Sequence, residues 1–288
     1  MPSPSPTLCF PDLQKSCFAC CPPIRPSGYE HLQHKNINKR ILRENTASFV
    51  REERTIVPIT GFSCWALGYL DEDCRLVGCL LHPGQNNGLD LRYRVNYGNK
   101  CQRESCREAQ LFSELGWPVK RFWLHLADGL DSFFYSSRGT NLLFRMIDWG
   151  THLLDVISAT QSNRIHTAES FLNAYAFFST SLSPRAHAYL LKCLIKAENV
   201  DLLKSTVFRA EFERLAASLA EEVARNRVLQ PHGTPVHRLS LDRDFLDYLR
   251  LSLHVRRMSE QEAMATKEEV DAKIEKWRKG FCFSLTGM

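Results

Sequence analysis

Apolar positions along this chain fall into two textures, with the change near residue 106. From there to the C-terminus they recur at helical spacing. Glu108 to Leu115 reads as a short helix stopped by Gly116-Trp117-Pro118, and Val119 to Leu130 as a second, carrying Phe122, Trp123, Leu126 and Leu130. Gly139-Thr140 offers an N-cap for a third, whose apolar set is Leu143, Met146, Ile147, Leu154 and Ile157. Phe171, Tyr175, Phe178 and Leu182 mark a fourth. Ser183-Pro184 then places a cap and an N1 proline at the start of a fifth.

The clearest amphipathic stripe is Phe208, Phe212, Leu215, Leu219 and Val223. Pro231, Gly233 and Pro235 separate it from a helix with Leu246, Leu249 and Leu253. A last helix is expected to open at the capping-box pattern Thr266-Lys-Glu-Glu269 and to run to about Lys279.

Before residue 106 the helical period is mostly lost. Residues 28–54 permit a helix with a sparse stripe of Ile37, Ile41 and Leu42. From Gly61 to Cys106, six glycines, Pro83 and Asn86-Asn87-Gly88 predict short loops and turns. The pattern therefore predicts a mainly α protein: a flexible tail over 1–8, an irregular cysteine-rich metal-binding module over 9–106, and an α-helical domain over 107–288. No internal repeat is seen.

Composition narrows the class without naming a function. Of 288 residues, 44% are hydrophobic and 24% charged, ordinary globular values. The net charge of +5 is dispersed, so a nucleic-acid partner is disfavoured. No apolar run is long enough to span a bilayer. The proline-rich start lacks the basic and apolar regions of a secretory signal, so a cytoplasmic, reducing location is expected.

Cysteine changes the picture most. Nine of the eleven cysteines lie in the first 106 residues. Cys17, Cys20 and Cys21 form a C-x-x-C-C knot, followed by Cys64, Cys74, Cys79, Cys101 and Cys106. In a reducing compartment such a set reads as metal or redox chemistry, because thiolates are soft ligands for zinc and for iron in sulfide clusters. The candidate ligands are Cys17, Cys20, Cys21, Cys64, Cys79, Cys101 and Cys106. Eight thiols, counting Cys74, would fill two four-coordinate sites or one cluster with thiols to spare. Cys101 and Cys106 are spaced to share a site, and Cys74 sits weakly among Asp71, Glu72 and Asp73 on an exposed turn. His31, His34 and His82 are nitrogen donors within the same region. Cys9 lies in the proline-rich start, and Cys193 on an apolar helix face reads as core.

The opening C-x-x-C-C, with Cys64, Cys79 and His82-Pro83 after it, resembles the YkgJ-type cysteine-cluster proteins over residues 9–106. His82-Pro83 stands where that family has Arg-Pro. The resemblance implies zinc or iron–sulfur binding, in a group that includes flagellin lysine methylases.

Elsewhere, Asp90-Leu91-Arg92 reads as an ion pair that orients its loop. His232 and His237 flank a bland loop, and Phe122, Trp123, Phe133, Phe134 and Tyr135 read as core. Nucleotide-binding, zincin and hydrolase motifs are absent from the sequence. Two classes of function fit. In one, a structural or redox cysteine cluster holding zinc or an iron–sulfur cluster accompanies a helical domain that binds a protein partner. In the other, a cluster-dependent enzyme modifies a protein or small molecule, for example with methyltransferase-like activity.

Overall fold

The computed structural model describes residues 6–21, 30, 32–60, 63–97, 101, 106–161, 165, 167–225 and 233–286. The chain is mainly helical, as its pattern predicts, and divides into two compact units, Met1–Arg145 and Met146–Met288.

In the first unit, helix α1 (Lys35–Ser48) lies on a small hairpin of β1 (Leu67–Tyr69) and β2 (Val77–Cys79). Leu42 is the only side chain of α1 that is buried, so apolar burial alone does not fix this helix. Polar bonds do. Asn45 Nδ2 donates to the carbonyls of Leu67 (2.8 Å) and Cys64 (3.1 Å), and Thr46 Oγ1 accepts from the Tyr69 amide at 2.7 Å. The helix comes so close that a Cβ on Gly68 would stand 2.6 Å from Thr46 Oγ1, which is why glycine occupies that position. The strands are antiparallel, with Leu67 opposite Cys79 and Tyr69 opposite Val77. Their connection carries Cys74 in the left-handed region, at φ 56°, and exposed.

Three helices follow: α2 (Arg107–Glu114), α3 (Trp117–His125) and α4 (Ser132–Ser136). Pro118 does not simply stop α2; it sits in the first turn of α3, where its missing N–H costs nothing. Asp131 caps α4 by accepting from the amides of Phe133 (3.0 Å) and Phe134 (2.9 Å). The expected boundary at residue 106 falls inside this first unit, because α4 holds the N-terminal loop. Tyr135 donates its hydroxyl to the Leu8 carbonyl at 3.0 Å, and Ser136 Oγ accepts from the Phe18 amide at 2.9 Å. Trp123, Phe133 and Tyr135 are core as expected, while Phe134 is exposed.

The chain passes between units within α5 (Leu142–Trp149), whose first turn is capped by Asn141 rather than Thr140; Asn141 Oδ1 accepts from the Leu143 amide at 3.0 Å. One expected helix over Leu143–Ile157 is two. Gly150, at φ 109°, ends α5 and starts α6 (Thr151–Gln161).

In the second unit, α7 (Ala168–Ala174) gives way to a 3₁₀ turn over Ala176–Ser179, so the aromatic stripe is not one helix. Helix α8 (Pro184–Leu194) starts at its Ser183-Pro184 signal, and α9 (Thr206–Arg225) carries the stripe of Phe208, Phe212, Leu215 and Leu219. The strands β3 (Thr234–Pro235) and β4 (Arg257–Met258) pair antiparallel around α10 (Arg243–Asp247), which continues into a π turn at Tyr248–Ser252. The core is aromatic, with Trp149 packed edge-on to Phe177, Phe178 and Phe212. Buried Asp247 is paired by Arg185, through bonds of 2.6 and 3.2 Å, and by Arg250 at 2.8 Å.

The last helix, α11, runs Glu260–Thr286 and opens seven residues before the expected capping box. The box in use is Ser259-Glu-Gln-Glu262. Ser259 Oγ accepts from the Glu262 amide at 3.1 Å, and Glu262 Oε2 accepts from the Ser259 amide at 2.8 Å. Thr266 instead donates back to the Glu262 carbonyl inside the helix.

Among the described residues, no helix is long and apolar enough to cross a membrane.

Candidate metal centre

The first cysteine loop doubles back on itself. The Cys17 amide donates to the Cys9 carbonyl at 2.8 Å, which sets those two residues side by side. Ser16, fully buried, then fastens the loop to the hairpin. Its hydroxyl donates to the Val77 carbonyl at 2.8 Å and accepts from the Val77 amide at 2.6 Å, and its own amide donates to Ser132 Oγ at 3.0 Å. These bonds carry residues 17–21 to the strand that ends at Cys79. A turn follows, closed by the Cys21 amide on the Phe18 carbonyl at 3.0 Å, and Cys17 Sγ accepts from the Ala19 amide at 3.5 Å.

Cys64 stands three residues before Leu67, the strand partner of Cys79, so the hairpin register brings Cys64 and Cys79 to the same end. The amides of Ala66 and Leu67 favour a thiolate at Cys64, and those of Leu81 and His82 favour one at Cys79. The spacing is the same at both, two and three residues on, and such backbone N–H groups form a small anion-binding concavity. Cys106 is the N-cap of α2, where the Ala109 amide donates to its sulfur at 3.4 Å. A helix N-terminus favours a thiolate.

Arg92 completes this set from behind. Its guanidinium donates to the Cys101 carbonyl at 2.9 Å and grips Asp90 through two bonds of 2.8 and 2.6 Å. The same cation favours a thiolate at Cys79 and holds the Asp90 carboxyl down to about 2. The Asp90–Arg92 pair is thus the loop-orienting ion pair expected from sequence, with its cation turned toward the sulfurs.

Burial opposes ionisation of these thiols, and so do the neighbouring sulfurs. Burial, with the charge of Cys20 next, pushes Cys9 up to about 11. Cys17 rises well above the usual thiol range through burial, with Cys9, Cys20 and Cys106 adding repulsion. Cys21 rises through its hydrogen bond with Cys20 first and burial second, with Cys79 and Cys64 adding to it. Burial lifts Cys64 to about 12, and Cys79 and Cys101 add to that. Cys79 is lifted to about 11 by burial, with Cys101 contributing. Burial also lifts Cys106 to about 12, ahead of its contact with Glu108, whose carboxylate is bridged by Arg138 at 2.9 and 3.1 Å. Burial therefore holds these thiols protonated, with Arg92 the cation beside Cys79 and Cys101. A soft metal ion bound there would displace the protons, since coordination deprotonates a thiol outright.

Of the seven sequence-predicted ligands, Cys21, Cys64, Cys79 and Cys101 share the hydrophobic cluster of the first unit, while Cys17 lies beside Cys9. Cys9 is coupled to Cys17 and Cys20, and its proline-rich setting gave no hint of this. Cys74 stands apart, exposed on its turn. The described cysteines carry no disulfide. His82 uses Nδ1 to accept from the Gly84 amide at 3.0 Å, and His34 sits at the N-cap position of α1. His31 and His232 lie outside the described residues. Cys193, in the second unit, is half-buried beside Tyr189 and Asp271.

Among the described residues, no three His, Cys, Asp or Glu side chains are placed to hold a metal ion. Four sulfurs about 2.3 Å from one ion must approach to about 3.8 Å from each other. The donor set itself, all sulfur and supported by backbone amides, suits zinc or an iron–sulfur cluster. In comparisons with known proteins, no family model, no curated protein and no solved structure matches this chain.

Proposed function

We propose that this protein binds zinc or an iron–sulfur cluster through the cysteines of its N-terminal module, and that the bound metal fixes the module. The observation that carries this is the meeting of Cys21, Cys64, Cys79 and Cys101, from four separate stretches of chain, on one hydrophobic cluster, with amides favouring a thiolate at Cys64 and Cys79. Free cysteines that serve only as small core residues have no need of one another. The likeness of the C-x-x-C-C segment to the YkgJ-type proteins agrees with it. The described residues 6–21 carry no helix or strand, and ligation is a common way to hold such a segment.

In this reading the helical second unit serves a protein partner. Support comes from a groove of about 540 Å³ between α9 and α11, lined by Leu215, Leu219, Trp277 and Phe281 and edged by Glu222 and Lys273.

The test is elemental and absorption analysis of protein purified without oxygen. Stoichiometric zinc in colourless protein, or iron with acid-labile sulfide in brown protein, is the expected result. Protein that is folded and free of both overturns it.

A further inference from the structure

Resting on the reading that the second unit receives a protein, we infer that the groove between α9 and α11 is closed by a second copy of this chain. The two copies pair about a two-fold axis that runs along the groove, so that α9 of each lies over α11 of the other.

Both helices supply the apolar floor. Leu215 and Leu219 are buried on the α9 side, and on the α11 side Trp277 and Phe281 stack with ring centroids 4.9 Å apart. The helices run antiparallel: Glu222 meets Lys273 at 3.0 Å near one end, and the rings of Phe208 and Phe281 meet at 5.8 Å near the other. Gly280 widens the groove at that second end, where an added Cβ would meet no atom within 4 Å. An apolar floor between charged rims is the anatomy of a protein interface.

Charge selects the occupant. The charged residues that line the groove are sorted by helix, with Glu211 and Glu222 on α9 and Lys273 and Lys276 on α11. The sequence around them keeps the sorting. From Glu211 to Glu222 four carboxylates stand against one guanidinium, and from Lys273 to Gly280 four cations stand against one carboxylate. Lys273 crosses the groove to Glu222 and also holds Glu269, Glu211 holds Arg214 at 2.6 Å, and Lys276 is exposed on the rim. An acidic wall beside a basic wall is complementary to itself. A two-fold along the groove sets acid over base on both sides. A two-fold across it would set acid over acid and base over base, which opposes association. A different protein would have to carry this two-sided pattern of its own, whereas a second copy carries it already, and one patch then serves both partners.

The test is sedimentation velocity on full-length protein under reducing conditions, over a wide concentration range and at low and high salt. A monomer–dimer equilibrium that shifts toward monomer as salt rises is expected. Lys276→Glu places two like-charge contacts in the dimer and should weaken it about tenfold or more, and Glu222→Lys should do the same. Mixed in equal amounts, the two variants should recover the dimer, because acid again meets base on both sides. Wild-type protein that stays monomeric at every concentration overturns the second copy as occupant and leaves the groove to a different protein. A dimer as tight in Lys276→Glu as in the wild type overturns this face as the one that pairs. If Glu222→Lys loses its fold along with its bond to Lys273, Lys276→Glu still decides, because that lysine is exposed. Neither failure touches the metal-binding reading, which metal content tests separately.

Discussion

Ser16 and Val77 satisfy one another completely: one hydroxyl both donates to the Val77 carbonyl and accepts from the Val77 amide. Val77 lies two residues before Cys79 and Ser16 one residue before Cys17, so this contact decides which cysteines meet. Replacing Ser16 with alanine leaves two buried backbone groups without partners. Each such loss costs about 1–3 kcal/mol. We expect Ser16→Ala to lower the denaturation midpoint of the first unit clearly and to weaken metal uptake, although Ser16 is no ligand. Equilibrium urea unfolding followed by a zinc-competition assay reads both, and unchanged stability would show that the loop is held elsewhere.

On the proposed metal-binding reading, a chelator should act on the two units differently. The first draws on a small core and a set of mutually repelling thiols, whereas the second is built on a packed aromatic core centred on Trp149, Phe177 and Phe212. A strong chelator under reducing conditions is expected to raise amide exchange over residues 6–21 and 63–97 by orders of magnitude. Exchange in α8 and α9 should stay slow. Equal loosening of both units, or of neither, contradicts a metal that organises only the first.

The second unit offers a pH test that metal does not complicate. Burial raises the Asp242 pKa, but the Lys192 bond at 2.9 Å and the cap bonds from Asp244 and Phe245 outweigh it, so the net shift is downward. A depressed carboxyl stabilises the fold fully above its ordinary value of 3.8, and that contribution is lost as pH falls through the lower folded-state value. Asp242→Asn keeps a capping side chain and loses the charge. Its deficit at neutral pH should be below about 1 kcal/mol, because both partners are more than a third exposed and solvent screens them. Thermal melts of the two proteins should converge below pH 3, and a gap that persists there would assign the effect to the cap alone.

The helical period was legible because burial enforces it, and α9 begins where Phe208 and Phe212 demand. The cysteine-rich stretch was legible for a different reason: cysteine is rare enough that its clustering signals chemistry. What escaped was set by single backbone events and by contacts far apart in sequence. Cys9 joins the others through one amide bond from Cys17 and through Tyr135, 127 residues from Leu8. Nothing in a proline-rich stretch announces either. Conversely, Thr266-Lys-Glu-Glu269 and Ser259-Glu-Gln-Glu262 both carry capping-box chemistry, and only what precedes each decides which is used.

That choice can be measured. Ser259→Ala removes an acceptor for the Glu262 amide and should destabilise the second unit by about 1 kcal/mol, the usual cost of losing a cap. Thr266 lies inside α11 with its hydroxyl bonded back to a helix carbonyl, so Thr266→Ala should be neutral or slightly stabilising. Urea midpoints that rank the two variants in the opposite order would place the helix start where the sequence first suggested.

Gly150 gives the sharpest backbone test. Its φ of 109° separates α5 from α6, and a Cβ added there would meet no atom within 4 Å. Any cost of Gly150→Ala is therefore conformational rather than steric crowding by neighbours. A non-glycine residue held in such a region costs about 1–3 kcal/mol. Alanine would also favour continuing the helix through residue 150, which conflicts with the packing of Trp149 on Phe177 and Phe212. We expect a lowered Tm of the second unit with little change in helix content. A variant as stable as the wild type would mean that α5 and α6 can run on as one helix, as the apolar pattern from Leu143 to Ile157 first indicates.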